Sequence, residues 1–441
     1  MTEVREIVIE LLGQLGSNRE AQQYVQQFSR VEESRFAVVK VGGAVLRDQL
    51  QPLATALAFL HRLGLHPIIL HGAGPQLDEA LESAGIKNQK HDGLRVTTAE
   101  VMAVARPVIY RENLRLVEAL EAHGVRARSL IHGVFRSRLA DQDRLGLVGD
   151  VEEVELGSLK AAIRTGAMPV VACLGESSSG QMMNINADVA ARELVWAIRP
   201  HKVIFLTSTG GLLDEEGRVI SAITLREDYD RLLSQPWIHS GMRLKLEEIR
   251  YLFERLPPEA SVSITSARNL TRELFTHTGA GTLIRHGERI AVEHTLDGDL
   301  EVRVRDVIEE AFGRRLRSDW PGAGATRSIF VAESGRAAAV IVHGIEDVAY
   351  LDKFAVTPEG RGEGLAGALW RSVVSSFPAL YWRARVTNPV NGWYFQKADR
   401  TLKRDGWVAF TRGIADPSQA ERVASDALAR ESGWVAEPEE T

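Results

Sequence analysis

The chain carries a single cysteine, Cys173, in 441 residues, which excludes an internal disulfide framework and fits a reducing compartment. Set in the apolar run MPVVACL, that cysteine reads as a buried strand residue. No stretch of about 18 apolar residues occurs, and the first residues lack a signal-peptide pattern. No membrane is therefore expected as a partner, and the protein is expected to be cytoplasmic. Neither charge sign is in useful excess. With 53 Lys and Arg against 59 Asp and Glu the formal charge is −6 and the pI about 6.1, so nothing electrostatic favours nucleic acid as a partner. The twelve histidines show no paired spacing with a nearby carboxylate, and no G-x-S-x-G elbow is present. Neither a protein-bound metal nor a nucleophilic triad is expected, and His71 reads as a loop residue.

What remains is an ordinary globular composition, 44% hydrophobic and 25% charged, in a chain too long for one core. Val4, Ile7, Val8, Leu11, Leu12 and Leu15 recur at helical spacing, and a second short helix carries Tyr24, Val25 and Phe28, so residues 1–30 form N-terminal helices. Their apolar faces dock either on their own domain or on another subunit. From Phe36 short apolar strands alternate with longer helical patterns, the signature of an α/β fold with a mostly parallel central sheet flanked by helices. Strands are predicted at 36–41, 66–70, 168–174, 202–208 and 261–265, and helices near 49–63, 75–84, 99–123, 186–198 and 241–256. Residues 286–299 are polar, lack a strong period and carry Gly287 and Gly298. The first domain is thus placed at 31–287 and a smaller α/β domain at 288–441.

Ligands collect outside the carboxyl ends of such strands, and there the chemistry is dense. Lys40 precedes Gly42 and Gly43; the next strand runs into HGAGPQ, where Gly72 and Gly74 permit close approach of a phosphate and Pro75 opens a helix. Such loops are also common as plain turns. Asn184 and Asn186 lead into a helix that begins near Asp188, and GMRLK supplies Lys245. Two lysines, an acid and a glycine loop suffice to hold and neutralise a transferring phosphoryl group. Phe36 to Ile284 resembles the amino-acid kinase family, and within it the N-acetylglutamate kinases, through VVKVGG, HGAGPQ, GLRVT, GLVGDVEEV, MNINAD, TGGLLD, GMRLK and GAGTLI. The resemblance implies that Lys40 and Lys245 neutralise the phosphoryl group in transit and Asp188 holds both lysines. It implies that Gly42, Gly43, Gly72 and Gly74 take the phosphates of Mg-ATP and that Arg95 and Asn184 grip N-acetylglutamate. One departure stands out: Ala73 occupies a position where the family commonly has glycine. Its methyl is acceptable only if φ is negative and the phosphate passes on the other side. The QQYVQQF helix and Ser266 to Ile284 further resemble the arginine-inhibited branch, implying L-arginine as an allosteric inhibitor and a dimer or tetramer.

In the second domain a helix is predicted at 301–312 and strands at 327–333 and 337–343. A longer strand, DVAYLDKFAV, follows, with Leu351 and Lys353 on one face and Asp352 and Phe354 on the other. In ALYWRARVT the alternation places Arg383 and Arg385 on one face, which suits a small dianion because each planar fork takes a carboxylate bidentately. A solvated strand face is the alternative. Three consecutive aromatics in the Gly392–Phe395 turn speak for a site. The pattern R-x-x-G-x-A at Arg361, Gly364 and Ala366, the WRAR strand and Tyr394 with Phe395 together resemble the GNAT acetyltransferases. The form of these motifs resembles the acetyltransferase domain of N-acetylglutamate synthases of the vertebrate-like type. That resemblance gives Phe354, Val356, Arg361, Gly362, Gly364 and Ala366 to acetyl-CoA, and Lys353, Arg383, Arg385 and Asn388 to L-glutamate. Tyr394 would protonate the leaving thiolate, a fair task for a phenol of ordinary pKa about 10.

Taken together, the resemblances imply a bifunctional enzyme of arginine biosynthesis that makes N-acetylglutamate and then phosphorylates it. Two other readings stay open: a synthase whose kinase-like domain only senses arginine, and a non-enzymatic, arginine-responsive assembly protein.

Overall fold

A computed structural model describes residues 36–91, 93–238, 240–257, 260–275, 280–322, 324–361 and 364–435. The predicted N-terminal helices lie outside them. The chain divides into two compact units, one ending at His286 and one starting at Gly287.

The larger unit is built on an eight-stranded sheet: β1 (Ala37–Val41), β2 (Ile68–His71), β3 (Ala127–Leu130), β4 (Met168–Ala172), β5 (Lys202–Leu206), β6 (Ala222–Thr224), β7 (Ser261–Thr265) and β8 (Thr282–Arg285). Their order is β6-β8-β7-β5-β1-β2-β4-β3, parallel throughout except that β8 runs against β7. Helices cover both faces, which is why β1, β2 and β5 read as continuous apolar runs with no polar face. The covering helices include α1 (Gly43–Asp48), α2 (Leu50–Arg62), α3 (Gly74–Ser83), α4 (Ala99–Ala122), α5 (Ala187–Ile198) and α6 (Ser240–Phe253). The predicted strand 168–174 breaks after Ala172, and Leu174–Glu176 departs into a separate four-stranded sheet with Met182–Asn184, Phe135–Leu139 and Gly149–Val154. Cys173 is therefore the hinge between two strands. His71 is a strand end and wholly buried, not a loop residue. Burial holds its imidazole down at about 4, so it is neutral, and Asn113 bonds its Nε2 at 3.0 Å.

The second unit contains α7 (Gly298–Phe312), α8 (Leu365–Ser376), α9 (Asn391–Lys397) and α10 (Pro417–Ala429) around seven strands. These are β9 (Ile290–Glu293), β10 (Thr326–Ala332), β11 (Ala337–Val342), β12 (Ala349–Val356), β13 (Leu380–Arg385), β14 (Arg400–Arg404) and β15 (Trp407–Arg412), in the order β9-β10-β11-β12-β13-β15-β14. Only β12 and β13 pair in parallel, and they do so at Ala349, Tyr350 and Leu351 alone. Beyond Leu351 and Trp382 the two strands run on without pairing, which opens a wedge in the middle of the sheet.

Two expectations fail here for local reasons. The register of β12 against β11 slips between Leu351 and Lys353, so Asp352 is the extra residue of a bulge. A bulge reverses the alternation beyond it. Lys353 consequently shares the face of Asp352, its Nζ 2.8 Å from Asp352 Oδ2, while Leu351 and Phe354 pack with the opposite core. The aromatic segment expected as a turn is the helix α9, which starts at Asn391 after Asn388 Oδ1 accepts the Val390 N–H at 3.0 Å.

Candidate active sites

In the larger unit the ends of β1, β2 and β4 meet the start of α5. Asn186 caps that helix, its side-chain oxygen accepting the N–H groups of Asp188 at 2.8 Å and Val189 at 3.3 Å. The cap fixes Asp188 in the first turn, where Lys40 Nζ donates to its Oδ1 at 2.6 Å. Lys245 on α6 reaches the same place. Burial lowers its ammonium pKa, Lys40 adds to the lowering, and Asp188 opposes both. Cys173 lies within the field of Lys40 and Asp188 too. Burial pushes its thiol up to about 12, and the neutral thiol donates to the His71 carbonyl at 3.0 Å.

Asn186, Asp188 and Cys173 border an open cleft of about 220 Å³ that Gly72, Ala73, Gly74, Arg95 and Asn184 also line. Arg95 is tied within it, donating to Asp78 and Asn88, and the Asn184 amide donates to Thr97 Oγ1 at 3.2 Å. The glycines fall into different kinds. A Cβ on Gly43 would stand 2.8 Å from Pro75 Cδ and 2.9 Å from the Gly74 nitrogen, so Gly43 is the close contact that seats one loop on the other. A Cβ on Gly74 would meet nothing within 4 Å, although its φ lies outside the left-handed region. There the absent side chain leaves open space at the cleft. Gly72 differs from expectation, because its N–H bonds the Val41 carbonyl at 3.0 Å and is spent on the sheet. The N–H groups of Ala73 and Gly74 precede the first intrahelical bond of α3, from Leu77 to the Ala73 carbonyl at 2.9 Å, as the first N–H groups of a helix do. Ala73 has φ −137° and is buried among Leu77, Leu81, Met102 and Ile109, so its backbone meets the condition set by the sequence.

In the second unit both arginines of β13 lie over one ring, with the guanidinium carbons of Arg383 and Arg385 at 4.3 and 4.0 Å from the centre of Trp407. Arg383 also donates to the carbonyls of Leu428 at 3.2 Å and Glu431 at 2.9 Å. Lys353 is buried on the same face of the sheet, between Trp320 and Trp434. Tyr394 packs on the opposite face against Trp382, Trp393 and Phe410. Burial raises its phenol pKa well above the ordinary value, so it is protonated but a weaker acid than the unperturbed phenol. The wedge between β12 and β13 is a gap in the sheet that separates these two faces. Phe354 and Val356 border that wedge from the unpaired length of β12.

Gly364 caps α8 in the left-handed region with φ 86°, and Ala366 follows in the first turn. Arg361 donates to the Ala311 carbonyl at 3.1 Å, which docks it on the end of α7. Gly362 lies outside the described residues. Asn388 spends its side-chain oxygen on the turn before α9. Sequence reasoning missed Trp320, Asp352, Trp407 and Trp434. Trp407 stands opposite Arg385 in the sheet, a pairing that only the register reveals.

A mostly parallel kinase-type sheet with a lysine–aspartate pair at its strand ends, and a wedged sheet with a cationic face, are both architectures of group-transfer enzymes. Residues 35–258 match the amino acid kinase family, and residues 300–429 match the NAT domain, the N-acetyltransferase of N-acetylglutamate synthase. The chain belongs to the amino acid kinase family and carries that acetyltransferase in the same polypeptide. It is 47% identical over 401 residues to an acetylglutamate kinase of Xylella fastidiosa, covering 91% of this chain and 95% of the relative. It is 31% identical to the mitochondrial N-acetylglutamate synthase of Homo sapiens, over 92% of this chain and 74% of that one. An N-acetylglutamate synthase of Neisseria gonorrhoeae, solved with coenzyme A and N-acetyl-glutamate, shares the fold with a TM-score of 0.64 at 19% identity, covering 90% of this chain and 98% of that one. Among the described residues no helix is long and apolar enough to cross a membrane.

Proposed function

We propose that the chain catalyses two consecutive reactions of arginine biosynthesis: acetylation of L-glutamate by acetyl-CoA, and phosphorylation of the resulting N-acetyl-L-glutamate by ATP. The observation that carries the kinase half is the Lys40–Asp188 contact of 2.6 Å, with Lys245 within the field of both and Asp188 lining the cleft together with Ala73 and Gly74. A γ-carboxylate oxygen of the substrate, already anionic at neutral pH, attacks the γ-phosphorus, the bond to the β-phosphate oxygen breaks, and ADP leaves. Lys40 and Lys245 neutralise the oxygens in transit, Asp188 keeps the two ammonium groups from separating, and the Ala73 and Gly74 N–H groups take phosphate oxygens. Arg95 and Asn184 hold the acetylamino acid. Magnesium would come with the nucleotide and would help to neutralise the phosphate charge there.

In the second unit the face of Arg383, Arg385 and Lys353 holds the two carboxylates of glutamate, with Asn388 at its edge. The start of α8 and the wedge hold acetyl-CoA. The α-ammonium gives one proton to water and the neutral amine attacks the thioester carbonyl; as the carbon–sulfur bond breaks the thiolate takes the Tyr394 proton, and the second proton shed by the acylated nitrogen restores the phenol through solvent. L-Arginine, bound beside Ser266–Ile284, inhibits; the resemblance of that segment to the arginine-inhibited branch supports this. The protein works in the cytoplasm as a homo-oligomer.

ADP formation from N-acetyl-L-glutamate and Mg-ATP, with hydroxylamine trapping of the acyl phosphate, tests the kinase half. Lys245→Ala is expected to reduce the rate about 10²- to 10³-fold. No ADP from the parent protein, with acetyl-CoA still consumed on glutamate, would leave the larger unit as a regulatory platform.

A further inference from the structure

The C-terminal residues from Glu431 to Val435 form a strap that runs antiparallel to residues 315–317. Leu316 bridges to Trp434, the Arg317 N–H bonds the Gly433 carbonyl at 3.0 Å, and the Val435 N–H bonds the Arg315 carbonyl at 2.9 Å. The strap touches two of the three cations assigned above to glutamate. The Glu431 carbonyl takes one N–H of Arg383 at 2.9 Å, next to the 3.2 Å bond to Leu428. Trp434 lies 5.3 Å from Lys353 Nζ and Trp320 lies 5.4 Å from it, so the ammonium sits between two indoles. Asp352 Oδ2 joins the parts, accepting from Lys353 at 2.8 Å and from the Trp320 indole N–H at 2.6 Å.

Gly433 shows how close the strap lies. Its φ is not in the left-handed region, yet a Cβ there would stand 2.6 Å from Trp320 Cδ1 and 3.2 Å from Lys353 Nζ. Glycine is needed at 433 for proximity, not for conformation. The consequence for Arg383 is geometric. A guanidinium has five N–H donors in a rigid fork; two go to the carbonyls of Leu428 and Glu431, and Trp407 lies against the plane, so the remaining donors have one orientation. Cations fixed before the ligand arrives do not lose freedom when it binds.

We infer that the C-terminal strap is a wall of the amino-acid acceptor site, with Gly433 and Trp434 positioning Lys353 and the Glu431 carbonyl positioning Arg383 for the carboxylates of glutamate. The inference rests on the reading of this face as the glutamate site. Because the strap acts through residues that bind glutamate, its loss weakens the ground state and the transition state alike.

The test is steady-state acetyl transfer by the full-length protein bearing Gly433→Ala, Trp434→Ala or Trp434→Phe. For the two alanine variants the KM for glutamate is expected to rise about tenfold with kcat within about twofold. The KM for acetyl-CoA and ADP formation from N-acetylglutamate stay at parent values, and Trp434→Phe recovers most of the loss. If Trp434→Ala does not fold, Gly433→Ala and Trp434→Phe decide. A glutamate KM that stays at the parent value, or that rises in step with the KM for acetyl-CoA, overturns the inference. A parent protein that turns over no glutamate overturns the underlying reading instead, and the two failures are told apart by that control.

Discussion

The two units fix their cations in opposite ways. In the larger one Lys40 and Lys245 are balanced by a single carboxylate, Asp188, which is itself 57% exposed, so the charges answer to each other and to whatever enters the cleft. In the smaller one Arg383, Arg385 and Lys353 are held by indole rings and backbone carbonyls, and among the described residues only Lys353 has a carboxylate partner. The contrast follows from what each must recognise. A phosphoryl group in transit redistributes its charge, and compact ammonium groups on long stems follow it. A dicarboxylate of fixed shape is better met by planar forks that have stopped moving.

The largest effect that separates the two arrangements should come from Tyr394. It lies against Trp382 and Phe410 and is affected by burial alone, with no charged neighbour in its shift. Tyr394→Phe is expected to lower acetyl transfer about 10²- to 10⁴-fold while ADP formation is unchanged. The signs of the two shifts add a pH test. A raised phenol pKa keeps the acid form present above the usual range for tyrosine, so acetyl transfer should hold its rate to high pH. A lowered Lys245 pKa means its charge is lost earlier than for an ordinary lysine, so the kinase rate should fall at a lower pH. Coincident alkaline limbs, measured on one preparation, would show that these two groups do not control the two rates.

A smaller effect distinguishes glycines that the sequence presents as equivalent. Gly43→Ala places a methyl against Pro75 and the Gly74 nitrogen and should destabilise the unit by about 1–3 kcal/mol, read as a fall in denaturant midpoint. Gly74→Ala meets no protein atom within 4 Å, so the fold should tolerate it, but the methyl enters the cleft. Its cost should appear in turnover with ATP, up to about 10²-fold, because misplacement of a reacting group by about 1 Å is enough for that. An unstable Gly74→Ala with normal turnover would reverse the assignment.

The larger unit was the more legible because its chemistry sits at strand ends, and strand ends are visible as apolar runs that stop. Lys40 sits near the end of one such run and Gly72 to Gly74 follow another, while the Asn186–Asp188 helix start announces itself by its capping residue. Where the reading erred, a hydrogen bond decided. The Gly72 N–H was expected at a phosphate, but the sheet ladder extends one residue further and uses it. In the smaller unit the period-2 pattern was followed through a bulge it cannot reveal, so Lys353 was put on the wrong face relative to Leu351. The pieces that hold its cations come from Trp320, Trp407 and Trp434, far apart in the chain and carrying no local motif. The two arginines were legible because a strand places alternate residues together; what orients them was not.

The smallest effect tests the residue that most weakens the comparison. Ala73 stands where glycine is usual in the family, and were its methyl to block the phosphate loop, the larger unit would be a cleft with charges and no reaction. The structure puts that methyl in an apolar cluster with Leu77, Leu81, Met102 and Ile109, at φ −137°, outside the left-handed region that favours glycine. Ala73→Gly should therefore cost about 1–2 kcal/mol of stability, from the buried methyl and the added freedom of the unfolded chain. It should leave kcat and the KM for ATP within about twofold of the parent if the methyl, packed with Leu77 and Leu81, stays clear of the nucleotide. A gain in turnover of about tenfold or more would mean that the methyl reaches the nucleotide after all. The loop would then owe its phosphate donors to a geometry that alanine already compromises.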